Sequence, residues 1–241
     1  MKLGYGFFGK NAIEVARHLV GCYLVRWIDG EKIVCKIVET EAYPGPKDKG
    51  CHAYGNKRTR RTEAMFRRGG HAYVYLIYGL HHCFNVVTGR AEVPEAVFIR
   101  AVEPMEGWEL IRQNRQLKRR KQPKQTKKCS IYKPSKEKNK DVKKDVKLTN
   151  GPGKLTQALA IDTSFNGYDL VRGEKLYCLE KQDRELICRT PSQMGDCGQD
   201  RIDQQENWKV AAAPRVNIDY AEEFKHKLWR FYLEGNPFVS V

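Results

Sequence analysis

The chain has 241 residues and a formal charge of +15, with 44 Lys and Arg against 29 Asp and Glu. That length allows one large domain or two small ones, and an apolar share of 41% is enough for a core. No run approaches the length needed to cross a bilayer, and residues 1–21 do not read as a secretory signal, because Glu14, Arg17 and His18 interrupt the apolar stretch.

The charge is concentrated. Residues 112–147 hold 16 Lys/Arg and 3 Asp/Glu, whereas the rest of the chain holds 28 and 26. A basic segment is therefore joined to a nearly neutral body, and the overall charge does not by itself argue for a nucleic-acid-binding core. The eight cysteines form no Cys-x-x-Cys pair. Reduced intracellular thiols are expected, with neither a disulfide framework nor a structural metal site.

Residues 11–20 predict a helix capped by Asn11, with Glu14 placed as in a capping box and Gly21 as the stop. CYLVRW follows as a strand, Asp29-Gly30 signals a tight turn, and the return strand starts at Lys32. That strand reads as half-buried and runs into KIVETEAYPGP at 36–46. By period two, Ile33, Cys35, Ile37, Glu39, Glu41 and Tyr43 share one face, which begins apolar and ends acidic. A carboxylate that enters a cleft this way is partly desolvated and suited to general-base work; the alternative is a strand end with two solvated acids.

A basic stretch, KRTRRTEAMFRR at 57–68, comes next and suits phosphate contact. AYVYLIY at 72–78 and CFNVV at 83–87 predict a second hairpin with its tip at 78–82. Tyr73 and Tyr75 share a face of it, and aromatics near a carboxylate suggest a slot for a flat, preferably cationic, ring. AVFIRAV at 96–102 predicts another strand and 106–115 a helix. Residues 113–148 lack apolar periodicity and are expected to be a disordered basic insertion. A short helix is expected at 155–161, a polar loop at 183–207, and strands near 208–218 and 228–233. The irregular alternation, without a βαβ repeat, favours α+β.

GPGKLT at 151–156 is not a phosphate loop, because Leu148 and Leu155 occupy positions that need Gly and Ser or Thr. The zinc-deaminase, zincin and serine-hydrolase signatures are missing.

ETEAY, the later His52, the Arg-Thr and Met-Phe of the basic stretch, YVYLIYG with Asn85, FIRAVEP, GPGKLTQALAI and RFYLEGNPFVSV occur together and in order. The chain thereby resembles the alkyladenine (3-methyladenine) DNA glycosylase family over residues 7–112 and 149–241. The resemblance implies a single mixed domain with a curved, largely antiparallel sheet, a protruding β-hairpin and surrounding short helices. It implies no metal and no cofactor, and a monomer acting on double-stranded DNA with damaged purines. Glu41 is implied as the general base for a water that Arg100 helps position. Tyr43, His52 and Tyr75 would line the base pocket, Asn85 would screen out the 2-amino group of guanine, and Tyr78 would wedge into the minor groove. Arg58, Arg60 and Arg61 are expected to contact the DNA backbone. The basic run and the substrate together suggest a nuclear location. Arg60 and the Arg67–Gly70 turn stand where the family usually has prolines, which affects DNA-contact detail and substrate range. Two rival readings are a non-catalytic minor-groove binder, which has no use for Glu41, and a sugar hydrolase that pairs Glu39 with Glu41.

Overall fold

The computed structural model describes residues 1–117, 145–181 and 209–240. A short helix α1 (Tyr5–Phe8) precedes α2 (Ala12–Leu19), whose first turn is closed by Asn11 Oδ1 accepting from the Glu14 N–H at 2.9 Å. Chain reversal between β1 (Tyr23–Ile28) and β2 (Glu31–Tyr43) uses Asp29 at φ 49° and Gly30 at φ 85°. Two successive positive φ angles match the right-handed twist of the flanking strands. The same device closes β3 (Ala72–Ile77) onto β4 (His81–Thr88), with Tyr78 at φ 52° and Gly79 at φ 66°.

β5 (Glu95–Glu106), β6 (Leu176–Leu179), β7 (Val210–Ala213) and β8 (Arg230–Leu233) complete an eight-stranded antiparallel sheet. Its order is β3-β4-β5-β2-β1-β6; β8 pairs with the far end of β2 and with β7. Short helices pack around it, including α3 (Trp108–Leu117) and α4 (Pro152–Ala158), so the fold is α+β as expected. α4 starts three residues earlier than its apolar pattern suggests, because Pro152 is well placed in a first helical turn. β6 was not expected; its four residues are too few to carry a period.

β2 is central rather than half-buried. β5 flanks one edge and β1 and β8 the other, and every residue from Ile33 to Ala42 is buried. The expected single face also breaks. Register with β5 shifts between Ile37 and Glu39, and again between Glu39 and Thr40. Such irregularities turn the strand and re-aim its side chains. Ile33, Cys35 and Ile37 belong to the main core with Ala16, Leu19 and Leu155, but so does Ala42, and Thr40 Oγ1 donates to Ala16 O at 2.8 Å. Beyond the shift, Glu39, Glu41 and Tyr43 therefore lie on the opposite side from Ile33, Cys35 and Ile37.

Part of the basic segment is ordered. α3 runs to Leu117, and Arg112 pairs with Asp145 at 3.2 Å while Val146 and Leu148 pack on the core. Residues 118–144 of the expected disordered insertion, and the expected loop at 183–207, lie outside the described residues. No helix among the described residues is long and apolar enough to cross a membrane.

Candidate active site

The register lays out the site. Tyr73, Asn85, Phe98, Glu41 and Arg230 are successive cross-strand partners on β3, β4, β5, β2 and β8. Cross-strand partners face the same way, so the side of the sheet away from α2 carries both the aromatics and the acids.

Glu39 and Glu41 are both fully buried at 0% exposure, which rules out two solvated acids. Their surroundings differ. Glu39 Oε1 takes Arg100 Nε at 3.2 Å and Arg230 Nη1 at 3.0 Å, and its Oε2 takes the Ser240 N–H at 2.7 Å. Glu41 Oε1 accepts from the Val216 N–H at 2.7 Å and faces Arg100 Nη1 at 3.3 Å, while its Oε2 accepts from Tyr43 OH at 2.9 Å. Burial pushes the Glu41 carboxyl above its ordinary range, and Arg100, the Val216 N–H and Tyr43 offset only part of that. Arg100 stays protonated: burial works against its charge, but Glu41 and Glu39 outweigh burial. Arg100 also falls at the register shift, where Ala101 pairs with Glu39 and Ile99 with Thr40, so its guanidinium reaches both acids.

Next to the acids, a small pocket of roughly 50 Å³ opens to solvent between Tyr43, His52, Tyr73, Tyr75, Asn85 and Tyr220. Tyr73 and Tyr75 lie 5.2 Å apart by ring centroids, and His52 meets the Tyr75 ring edge-on at 4.7 Å. His52 Nδ1 bonds Tyr73 OH at 2.9 Å. Burial, helped by the charge of Arg61, pushes the His52 imidazole down to about 4, so it is neutral near pH 7. Asn85 Nδ2 donates to Tyr73 O at 3.1 Å, which fixes the amide beneath the aromatics. Tyr43 links the two halves, with its ring in the pocket wall and its hydroxyl on Glu41.

The four expected pocket residues thus meet in one place, with Glu41 and Arg100 directly behind. The remaining expected residues lie outside it. Tyr78 stands at the hairpin tip, 87% exposed, with Leu80 beside it at 66%. Arg60 and Arg61 are exposed and line a groove along the hairpin with Leu76, where the Arg61 guanidinium sits 4.7 Å from the Tyr75 centroid. Arg58 is occupied by Glu63 at 2.8 Å and Glu92 at 2.6 Å. Among the described residues, no group of three His, Cys, Asp or Glu side chains could hold a metal ion.

Tyr73, expected with Tyr75 to face a slot, does line the pocket, whereas sequence reasoning missed Tyr220 at its mouth, along with Ser240, Val216, Arg215 and Asp48. Val216 and Ser240 hold the two acids through backbone N–H groups, which leave no side-chain signature, and Ser240 Oγ also accepts from Arg100 Nη2 at 3.3 Å. Arg215 and Asp48 form an ion pair with both side chains fully buried, and the only local hint was a lone Arg within AAAPRV.

The motifs that line this site extend through most of the chain, and so does its likeness to known proteins. The methylpurine-DNA glycosylase family model matches residues 6–237. A candidate 3-methyladenine DNA glycosylase of Natranaerobius thermophilus is 47% identical over 241 residues, covering all of both chains. Proteins of the same description from Desulfitobacterium hafniense and Bacillus cereus are each 44% identical, covering 100% and 97% of this chain and 98% and 96% of their own. All three relatives are bacterial, and bacteria have no nucleus, so the expected nuclear location has no support. A match from residue 6 to residue 237 that takes in ETEAY, the aromatic hairpin and the C-terminal strand leaves one assignment: the chain belongs to the methylpurine-DNA glycosylase family.

Proposed function

We propose that the protein extrudes a damaged purine from duplex DNA and hydrolyses its bond to deoxyribose with a water deprotonated by Glu41. By family, the chain is a DNA glycosylase; the steps and residue roles are this reading's own. The observation that carries it is the junction at Tyr43. A fully buried carboxylate with a raised pKa sits behind an aromatic pocket and is joined to it by a single phenol.

The flipped base stacks among Tyr43, His52 and Tyr75, and a cationic N-alkylated purine gains most from those ring faces. Such a base leaves readily, taking the glycosidic electron pair and losing its charge. Water adds to C1′ as Glu41 takes its proton, and Arg100 steadies the acids and the incoming water. Asn85, held by Tyr73 O, excludes the 2-amino group of normal guanine. Tyr78 fills the gap in the duplex, and extrusion costs less for a damaged or mismatched base, which adds selectivity. Arg60 and Arg61 supply phosphate contact, while Arg58, already paired to two carboxylates, orders the loop. The enzyme is monofunctional, since no lysine is among the described residues that line the pocket and none replaces Glu41 in the motif. It acts in the bacterial cytoplasm, where the DNA lies. A Glu39–Glu41 acid–base pair is disfavoured, because both Glu39 oxygens are already taken by donors.

The test is to incubate the protein with duplexes carrying one N-alkylated or one deaminated purine and to follow free base, with borohydride present in a parallel reaction. Free base without a trapped protein–DNA adduct is expected. No base release from any damaged duplex contradicts the reading, and a trapped adduct contradicts its water step.

A further inference from the structure

Asp48 and Arg215 form a second ion pair, and the proposed chemistry makes no use of it. Arg215 Nη1 and Nη2 donate to Asp48 Oδ2 and Oδ1 at 2.5 and 2.8 Å, and both side chains are fully buried. Removing two charges from water is expensive, and apolar side chains of similar volume often do as well or better for stability. Stability alone is therefore a weak reason for this pair.

Its contacts point elsewhere. Arg215 Nη1 also donates to the carbonyl of Ala42, between Glu41 and Tyr43, at 3.1 Å. The guanidinium lies 4.6 Å from the Tyr43 ring centroid and 5.0 Å from that of Trp229. Asp48 Oδ1 accepts from the Gly50 N–H at 2.9 Å, in the turn that leads to His52. A Cβ at Gly50 would come within 2.9 Å of Arg215 Nη2, so this turn closes tightly on the pair. The residue after Arg215 is Val216, whose N–H holds Glu41 Oε1 at 2.7 Å. One fork thus anchors the strand end, the turn and the backbone donor that surround a single carboxylate.

We propose that Arg215, clamped by Asp48, is a positioning residue for base excision: it fixes the Val216 N–H and the Tyr43 ring, which between them hold the two oxygens of Glu41. This rests on the reading of Glu41 as general base given above. Without the clamp, the carboxylate loses its Val216 donor and its place against the pocket. A misplacement of about 1 Å can cost about 10²-fold in rate. Loss of the Val216 hydrogen bond also removes one of the contacts that offset burial at Glu41, so the acid limb of the rate profile moves to higher pH. The other groups facing Glu41 are Glu39 and Tyr43 on its own strand, Arg100 on β5, Cys83 on β4, Arg230 on β8 and Tyr220 beyond Val216.

The experiment uses the full chain and a duplex carrying one 7-methylguanine, with single-turnover release at saturating protein, lesion affinity and melting temperature measured across pH. The variants are Asp48→Asn, Arg215→Lys and the charge-free double Asp48→Leu with Arg215→Met. The double variant is expected to keep lesion affinity within a few-fold and to lose about 10- to 100-fold in rate, with its acid limb shifted up. Arg215→Lys keeps the charge but not the planar fork, so it is not expected to restore the rate. If the double variant does not fold, Asp48→Asn, which keeps the shape, decides by the same limb shift. An unchanged rate and pH profile with only a lower melting temperature overturns the clamp, as does full activity of Arg215→Lys. A wild-type protein that releases no base overturns the function itself and the clamp with it.

Discussion

The acidic end of β2 and the tip of the β3–β4 hairpin belong to one sheet and have opposite surroundings. At the first, Glu39 and Glu41 are 0% exposed and held by Arg100, Arg230 and backbone N–H groups; at the second, Tyr78 is 87% exposed. Charges that stabilise a reacting centre are strongest where water is excluded and donors are fixed in advance. A wedge that enters DNA must instead stand free of its own fold. On the proposed reading, rate belongs to the first region and capture to the second.

Glu41→Gln breaks the rate side most. General-base catalysis is typically worth about 10²–10⁴-fold, and base release is expected to fall by that order. The same substitution is expected to raise the melting temperature at neutral pH. A carboxyl whose folded pKa is raised contributes stability that is full below its unfolded value and lost as pH rises through the folded one. Gln carries no such loss, so stability rises where activity falls, and a lower melting temperature at pH 7 would count against the raised pKa.

Tyr78→Ala probes the capture side. Stacking of one base on one aromatic is worth about 1–3 kcal/mol, so lesion affinity is expected to weaken by about 5- to 150-fold. Release at saturating protein should change far less. Titration of lesion and undamaged duplexes checks this, and a rate loss matching that of Glu41→Gln would merge the two regions into one. The smallest effect concerns His52. Burial holds its folded pKa at about 4, below the 6.5 of an ordinary imidazole. Stability tied to it is therefore full above pH 6.5 and lost as pH falls from there through about 4. Thermal unfolding across that window should fall less steeply in His52→Asn than in the wild type.

Local signals made much of the fold legible. Asn11 with Glu14, the Asp29-Gly30 turn and the alternating hairpin strands each depend on residues within a few positions of one another. Arg215 and Asp48 are 167 residues apart, and Ser240 and Glu39 are 201 apart. Contacts of that span carry no spacing to read, and Val216, 175 residues from the Glu41 it holds, was invisible for the same reason. The period-two reading of β2 failed for another reason. A strand bulge inserts a residue without a sequence mark, so the acids were correctly grouped with Tyr43 but wrongly placed with Ile37. Aromatics beside a carboxylate suggested a slot, but each tyrosine alone would equally have fitted a packed core, and it was resemblance to a family that singled out Tyr43, His52, Tyr75 and Asn85.

The most direct test sets Glu41→Gln beside Glu39→Gln on one lesion duplex, with binding and single-turnover base release measured on the same preparations. Both acids are equally buried and both face Arg100, so burial and charge alone would give equal effects. Because only Glu41 reaches the pocket through Tyr43, the predicted result is retained lesion binding in both variants, a loss of about 10²–10⁴-fold at Glu41 and a much smaller one at Glu39. Equal losses would indicate a two-carboxylate mechanism, and an undiminished rate in Glu41→Gln would contradict the account at its centre.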